Sequence, residues 1–255
     1  MYRKALVGGR ELYFVHAPPQ SDLDQLKQKL PKAPHAAVHH HERSVYYYWW
    51  AFLRLNKHYI KCCEDGGRGP FAKLYQSFGD VRDGQRPLDE YGEFKAWWVE
   101  RGAALFCEPR QKDYVEALPQ EHQPIDRDRF TVLCVPLQAD LDMTMKAIRT
   151  VLQPRFERYR DQFGHFSQAK HRVIGNTSLS RLQTILDIRC IKTADPKRSD
   201  HLIADDVRIQ INRKFENITN LEKHKADRVR EHLEAAKALI HNVGQGRFPD
   251  FTIPG

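Results

Sequence analysis

The residues best suited to chemistry on a large polyanion lie in one stretch of the C-terminal half. Lys197, Arg198, Arg208, Arg213 and Lys214 follow a helical pattern over Leu179–Thr193, in which Leu182, Ile185, Leu186 and Cys190 share a face. Asp195-Pro196 breaks that pattern. A second helix opens at Ser199 or Asp200, with Ile203, Val207, Ile211 and Phe215 at i, i+4 spacing. Helix, turn, helix with cations in the second half is the order in which a recognition helix meets phosphates and base edges, so duplex DNA is the expected partner. Asp200, Asp205 and Asp206 oppose this. They repel phosphate unless they face away, and the competing reading is an ordinary solvated helical bundle.

The other reactive residue types form weaker patterns. His39-His40-His41 supplies imidazoles, but adjacent residues point in different directions and do not make a tetrahedral site. His58 and Cys62 are one helical turn apart, yet no second ligand pair accompanies them, and Cys62 and Cys63 read as core thiols. Gly66-Gly67-Arg68-Gly69-Pro70 lacks the lysine and the preceding strand of a phosphate-cradling loop. Asp80 and Asp83 are two nearby carboxylates without a partner base, and they carry a third reading, a metal-dependent nuclease. With no recognisable catalytic motif, the chain reads as a non-enzyme with no metal and no cofactor.

Tyr46-Tyr47-Tyr48-Trp49-Trp50 and Trp97-Trp98 are the most unusual runs. Consecutive aromatics on one helix point in all directions, so a single core is not expected to take them all. Tyr46, Tyr47, Trp50 and Trp98 are therefore the expected partner surface of the alternative reading, a protein-interaction module that docks a protein partner or a second protomer.

The elements that must position these groups give a mainly α fold with minor β. Residues 1–35 form an N-terminal appendage containing a hairpin about Gly8-Gly9. An aromatic-rich helical domain spans 36–107, with one helix expected from about His39 to Cys63, another over Phe71–Phe78 and a third over Glu90–Glu100. Residues 108–129, rich in charge, Pro and Gln, read as a linker. Residues 130–255 form a small, basic α/β domain ending in the helix-turn-helix. Its strand is Phe130–Leu137, its next helix carries Met143, Ala147, Ile148, Val151 and Leu152 up to Pro154, and its last helix covers about Lys223–His241.

Composition agrees with a folded, soluble chain. Of 255 residues, 41% are hydrophobic and 29% charged, outside the signature of disorder. The net charge of +8 is mostly C-terminal: Lys and Arg number 20 against 18 acids in residues 1–139, and 21 against 15 in residues 140–255. Five cysteines with only one adjacent pair, no long apolar run and no secretory leader lead to the expectation of a cytoplasmic protein with reduced thiols and no membrane partner.

Three segments, Trp49-Trp-Ala-Phe-Leu-Arg-Leu-Asn-Lys-His-Tyr59, Phe78-Gly-Asp-Val81 and Phe94-Lys-Ala-Trp-Trp98, together resemble uncharacterised regulator-like proteins of bacterial integrative and conjugative elements and prophages. Arg228–Val243 is similar to the closing helix of the helix-turn-helix domain in such proteins. The resemblance implies a DNA-binding transcriptional regulator or accessory factor of a mobile genetic element; under the alternative, the chain is a subunit of a mobile-element or phage-defence complex.

Overall fold

The computed structural model describes residues 3–19, 40–82, 90–108, 131, 133–136, 138–163, 167, 169–175, 178–211 and 218–252. The chain is mainly helical, with one small two-stranded sheet among the described residues. It divides into a compact unit of residues 1–109 and 167–255 and a second unit of residues 110–166. This differs from the expected division at 108–129, because segments from both ends of the chain build one core.

That core is organised around a single helix. Strands β1 (Arg3–Val7) and β2 (Arg10–Phe14) pair antiparallel, with Val7 opposite Arg10 across Gly8 and Gly9, whose φ of 54° and 76° suit a two-residue turn. The hairpin is no appendage. Phe14 is fully buried and its ring meets Tyr46 and Trp98 at 5.9 and 5.6 Å. A 3₁₀ turn (His40–Arg43) leads to α1 (Val45–Arg54). Ser44 Oγ accepts from the Tyr46 amide and donates to the Ala17 carbonyl, so one hydroxyl caps the helix and ties down the chain leaving the hairpin.

Every residue of α1 from Val45 to Leu53 is buried. A helix apolar all round must be enclosed on every side, and the neighbours come from across the sequence. Tyr46 stacks on Phe106 and Trp98, with centroids 4.7 and 5.3 Å away. Tyr47 meets Phe94 edge-on, Tyr48 donates to Gln183 Oε1 at 2.6 Å, and Trp49 lies against Phe78, Phe106 and Phe248. Truncating Trp49 to Ala would cost on the order of 3–5 kcal/mol, a large share of the ~5–15 kcal/mol that holds a domain folded.

The helix expected through Cys63 instead ends at Arg54. Asn56 opens α2 (Lys57–Glu64), its Oδ1 accepting from the Tyr59 amide and its Nδ2 donating to the Ile240 carbonyl at 2.7 Å. Next come α3 (Ala72–Phe78), α4 (Glu90–Trp97), a π turn (Trp98–Gly102) and α5 (Ala103–Phe106). A Cβ at Gly102 would sit 2.6 Å from the Trp97 ring, so the π turn needs glycine there.

In the same unit, α7 (Leu179–Ala194) and α9 (Ile218–Val243) close the core, and α8 (Asp200–Asp206) packs on the two of them. Ile188, Ile203, Ala204 and Val229 form a small second cluster joining these three helices. Asn242 Nδ2 donates to the Asp250 and Thr252 carbonyls and so fastens the final segment.

In the second unit, α6 (Leu141–Phe163) begins where Asp140 Oδ1 accepts from the Met143 amide. It runs through Pro154 rather than stopping there. The strand expected over 130–137 is a correction: residues 131 and 133–136 have no strand structure and Val135 is exposed. Among the described residues no other strand pairs with them, and an apolar run without a ladder leaves its backbone groups for water.

Candidate functional site

The α7–α8 region has the expected helix order. The turn between them is closed by Lys192 Nζ, which donates to the Arg198 carbonyl at 2.8 Å and to Asp200 Oδ1 at 2.9 Å. The lysine thus joins the end of α7 to the first turn of α8, and the carboxylate of Asp200 favours that helix N-terminus.

The expected second helix, continuing to Phe215, ends at Asp206. Arg208 takes a left-handed φ of 54°. Its amide donates to the Asp205 carbonyl, and the Ile209 amide donates to the Ala204 carbonyl at 2.8 Å, while Ile209 packs on the small cluster. This is the Schellman termination of α8.

The five proposed nucleic-acid contacts separate. Lys197 and Arg208 are exposed, just before and just after α8, and have no ion-pair partner among the described residues. Arg198 is held by both oxygens of Asp206, at 2.7 and 2.9 Å. Arg213 and Lys214 lie outside the described residues. The inner face of α8 carries Ile203 and Ala204, so its exposed residues are Leu202, Asp205 and Asp206. Lys225 pairs with Asp205, and Arg230 approaches Asp200 at 3.4 Å. The surface around α8 is therefore of mixed charge, with carboxylates on its outward side.

The aromatic partner surface is a second correction. Tyr46, Tyr47, Trp50 and Trp98 are each at most 3% exposed, because the π turn, the hairpin, α4 and α7 enclose α1 from all sides. They hold the core and cannot form a docking face in this fold.

The remaining candidates carry little chemistry. Asp80 accepts from Arg82 through both oxygens, which holds its carboxyl below the usual range, and Asp83 lies outside the described residues. His41 sits edge-on to Tyr47, and His39 is outside the described residues. Burial raises the thiol of Cys62 and pushes that of Cys63 up to about 11, so neither is a ready thiolate. No group of three metal-ligating side chains occurs among the described residues.

The surface missed in the sequence is on α6. Leu141, Met145, Ile148, Leu152 and Phe156 recur at spacings of four, three, four and four, within roughly 80° of the helix circumference. Leu141 is 71%, Met145 55% and Phe156 54% exposed, and Val151 beside them is 49% exposed. Pro154 falls on the opposite side of the helix, so the stripe itself is unbroken. Soluble monomers seldom leave a large contiguous apolar patch open. The sequence signal is the 3.6-residue period, read there as an apolar stripe of Met143, Ala147, Ile148, Val151 and Leu152 up to Pro154. No helix among the described residues is long and apolar enough to cross a membrane. No protein-family model, curated protein or solved structure matches the chain.

Proposed function

We propose that this protein is an interaction module that works through α6, and that the partner of this helix is α6 of a second copy. The observation that carries the reading is the apolar stripe of α6, about 22 Å long at 1.5 Å per residue, exposed at Leu141, Met145 and Phe156 and half-buried at Ile148 and Leu152. Burying two such stripes against each other removes apolar surface from water, the principal driving force of association. Charge selects the orientation. The capping Asp140 and first-turn Asp142 make one end acidic, and the later turns carry exposed Arg155 and Arg158 against one exposed carboxylate, Glu157, among the described residues. Antiparallel pairing lays acidic end against basic end, whereas parallel pairing opposes like charges.

Sedimentation equilibrium of the full chain tests this. A dimer is expected for the wild type and a monomer with unchanged helical circular dichroism for Leu141→Glu/Met145→Glu. A monomeric wild type at about 100 µM, far above the ~1 µM of ordinary specific pairs, or a dimeric double variant, refutes it.

Duplex DNA binding is the second reading, supported by the exposure of Lys197 and Arg208 at the two ends of α8. Its test is the salt dependence of affinity for a DNA duplex, which should weaken by roughly 0.9 in logarithmic slope for each phosphate contact. A Lys197→Ala/Arg208→Ala variant with the wild-type slope would exclude these residues as the contacts.

A further inference from the structure

The apolar stripe of α6 contains one side chain whose polarity an oxidant can change. Leu141, Ile148, Leu152 and Phe156 present only hydrocarbon, whereas Met145 carries a thioether and is 55% exposed. The chain has three methionines, at positions 1, 143 and 145. Met143 is 69% exposed but lies about 160° round the helix from Met145, on the side away from the stripe. Two thioethers of similar exposure thus stand on opposite faces of one helix. Only Met145 belongs to the surface proposed to pair with a second copy.

Resting on the reading of α6 as a self-association surface, we infer that oxidation of Met145 by hydrogen peroxide switches the dimer off. The sulfur lone pair attacks one peroxide oxygen, and the S–O bond forms as the O–O bond breaks. The proton on the transferred oxygen passes to the departing hydroxide, which leaves as water. Sulfur is oxidised by two electrons and the peroxide is reduced by two. The product is a sulfoxide, a strong hydrogen-bond acceptor that needs a donor when it is buried. The stripe it would be buried against offers only hydrocarbon, and the helix amides beneath are already bonded within α6. Each dimer buries two such sulfoxides, one from each copy, so self-association weakens by roughly 100-fold or more. Pairing covers Met145 and leaves Met143 bare, so attack on Met145 takes place on the dissociated helix. Its oxidation therefore slows as protein concentration rises, and that of Met143 does not.

Peroxide treatment of the full chain at about 1 and 100 µM, either side of an ordinary specific affinity, tests the switch. Cys134 and Cys190 are exposed, so dithiothreitol is added afterwards to restore thiols, which leaves sulfoxides intact. Tandem mass spectrometry reads the oxidation of each methionine, and sedimentation equilibrium reads association. Met145 should oxidise more slowly at the higher concentration and Met143 at the same rate in both. The oxidised protein should keep its helical circular dichroism and show a Kd raised roughly 100-fold or more, and methionine sulfoxide reductase should restore the wild-type value. Met145→Leu should remain dimeric after peroxide, whereas Met143→Leu should dissociate as the wild type does. An unchanged Kd after complete oxidation of Met145, equal dissociation of oxidised Met145→Leu, or loss of helical signal on oxidation overturns the switch and leaves the dimer standing. A wild type that is monomeric before any peroxide is added refutes the dimer itself, and the switch with it.

Discussion

Acid should destabilise this protein through one histidine. The His171 ring lies edge-on to Phe78 at 4.6 Å and to Trp49 at 6.0 Å, and its Nε2 is buried without a hydrogen-bond partner. Burial, with a smaller contribution from the charge of neighbouring Lys170, lowers its pKa from 6.5 to about 4. The folded value lies below the unfolded one, so as pH falls the unfolded chain takes up the proton first. The contribution to stability is therefore complete above about pH 6.5 and is lost as pH falls from there to about 4. At ~1.4 kcal/mol per pH unit, that gap corresponds to about 3 kcal/mol. Urea denaturation followed by tryptophan fluorescence at pH 7.5 and 4.0 measures it. His171→Phe keeps an aromatic ring in the site without a titrating group, and carboxylates elsewhere affect both proteins alike. The wild type should lose about 3 kcal/mol more than the variant over this interval. A difference below about 1 kcal/mol would refute the argument.

Two further substitutions test the backbone and the packing. Arg208→Gly should raise stability by roughly 1 kcal/mol, read as an increase in the urea midpoint, because glycine takes the left-handed conformation at the end of α8 without strain. Gly244→Ala should lower it by roughly 1–3 kcal/mol in the same assay. The new Cβ would lie 2.4 Å from Asn56 Nδ2, an amide already fixed by the Ile240 carbonyl and by its capping of α2.

Local features of the fold were readable where one residue decides the backbone. Gly8-Gly9 placed the hairpin turn, and the apolar periodicity of Leu182, Ile185 and Leu186 placed α7. Long-range features were not. Nothing near Phe14 says that its ring reaches Trp98, so the hairpin looked detachable. Asn56 caps α2, but the apolar pattern on both sides of it predicts one helix from about His39 to Cys63. The aromatic run was judged on the premise that one helix face meets one core. A helix enclosed from all sides, with neighbours drawn from both ends of the chain, escapes that premise.

The α8 region shows how net charge misleads. The C-terminal excess of cations was real in the sequence, but its meaning depends on pairing. Arg198 with Asp206, Lys192 with Asp200 and Lys225 with Asp205 are ion pairs between positions eight to twenty residues apart. No periodicity in the sequence identifies them. The α6 stripe was visible as a pattern, and only the exposure of its residues distinguishes a core face from an open one.

The enclosure of α1 also sets an order of events during synthesis. This helix leaves the ribosome before the segments that cover it, since Trp49 and Phe52 pack against Phe248, and α1 also packs against α9. Closing contacts between such distant parts of the chain carries a large loop entropy and is slow. Until the segment holding Phe248 has emerged, the most aromatic stretch of the protein lacks part of its cover. The nascent chain is thus most exposed to aggregation and most dependent on chaperones between the emergence of residue 54 and that of residue 248.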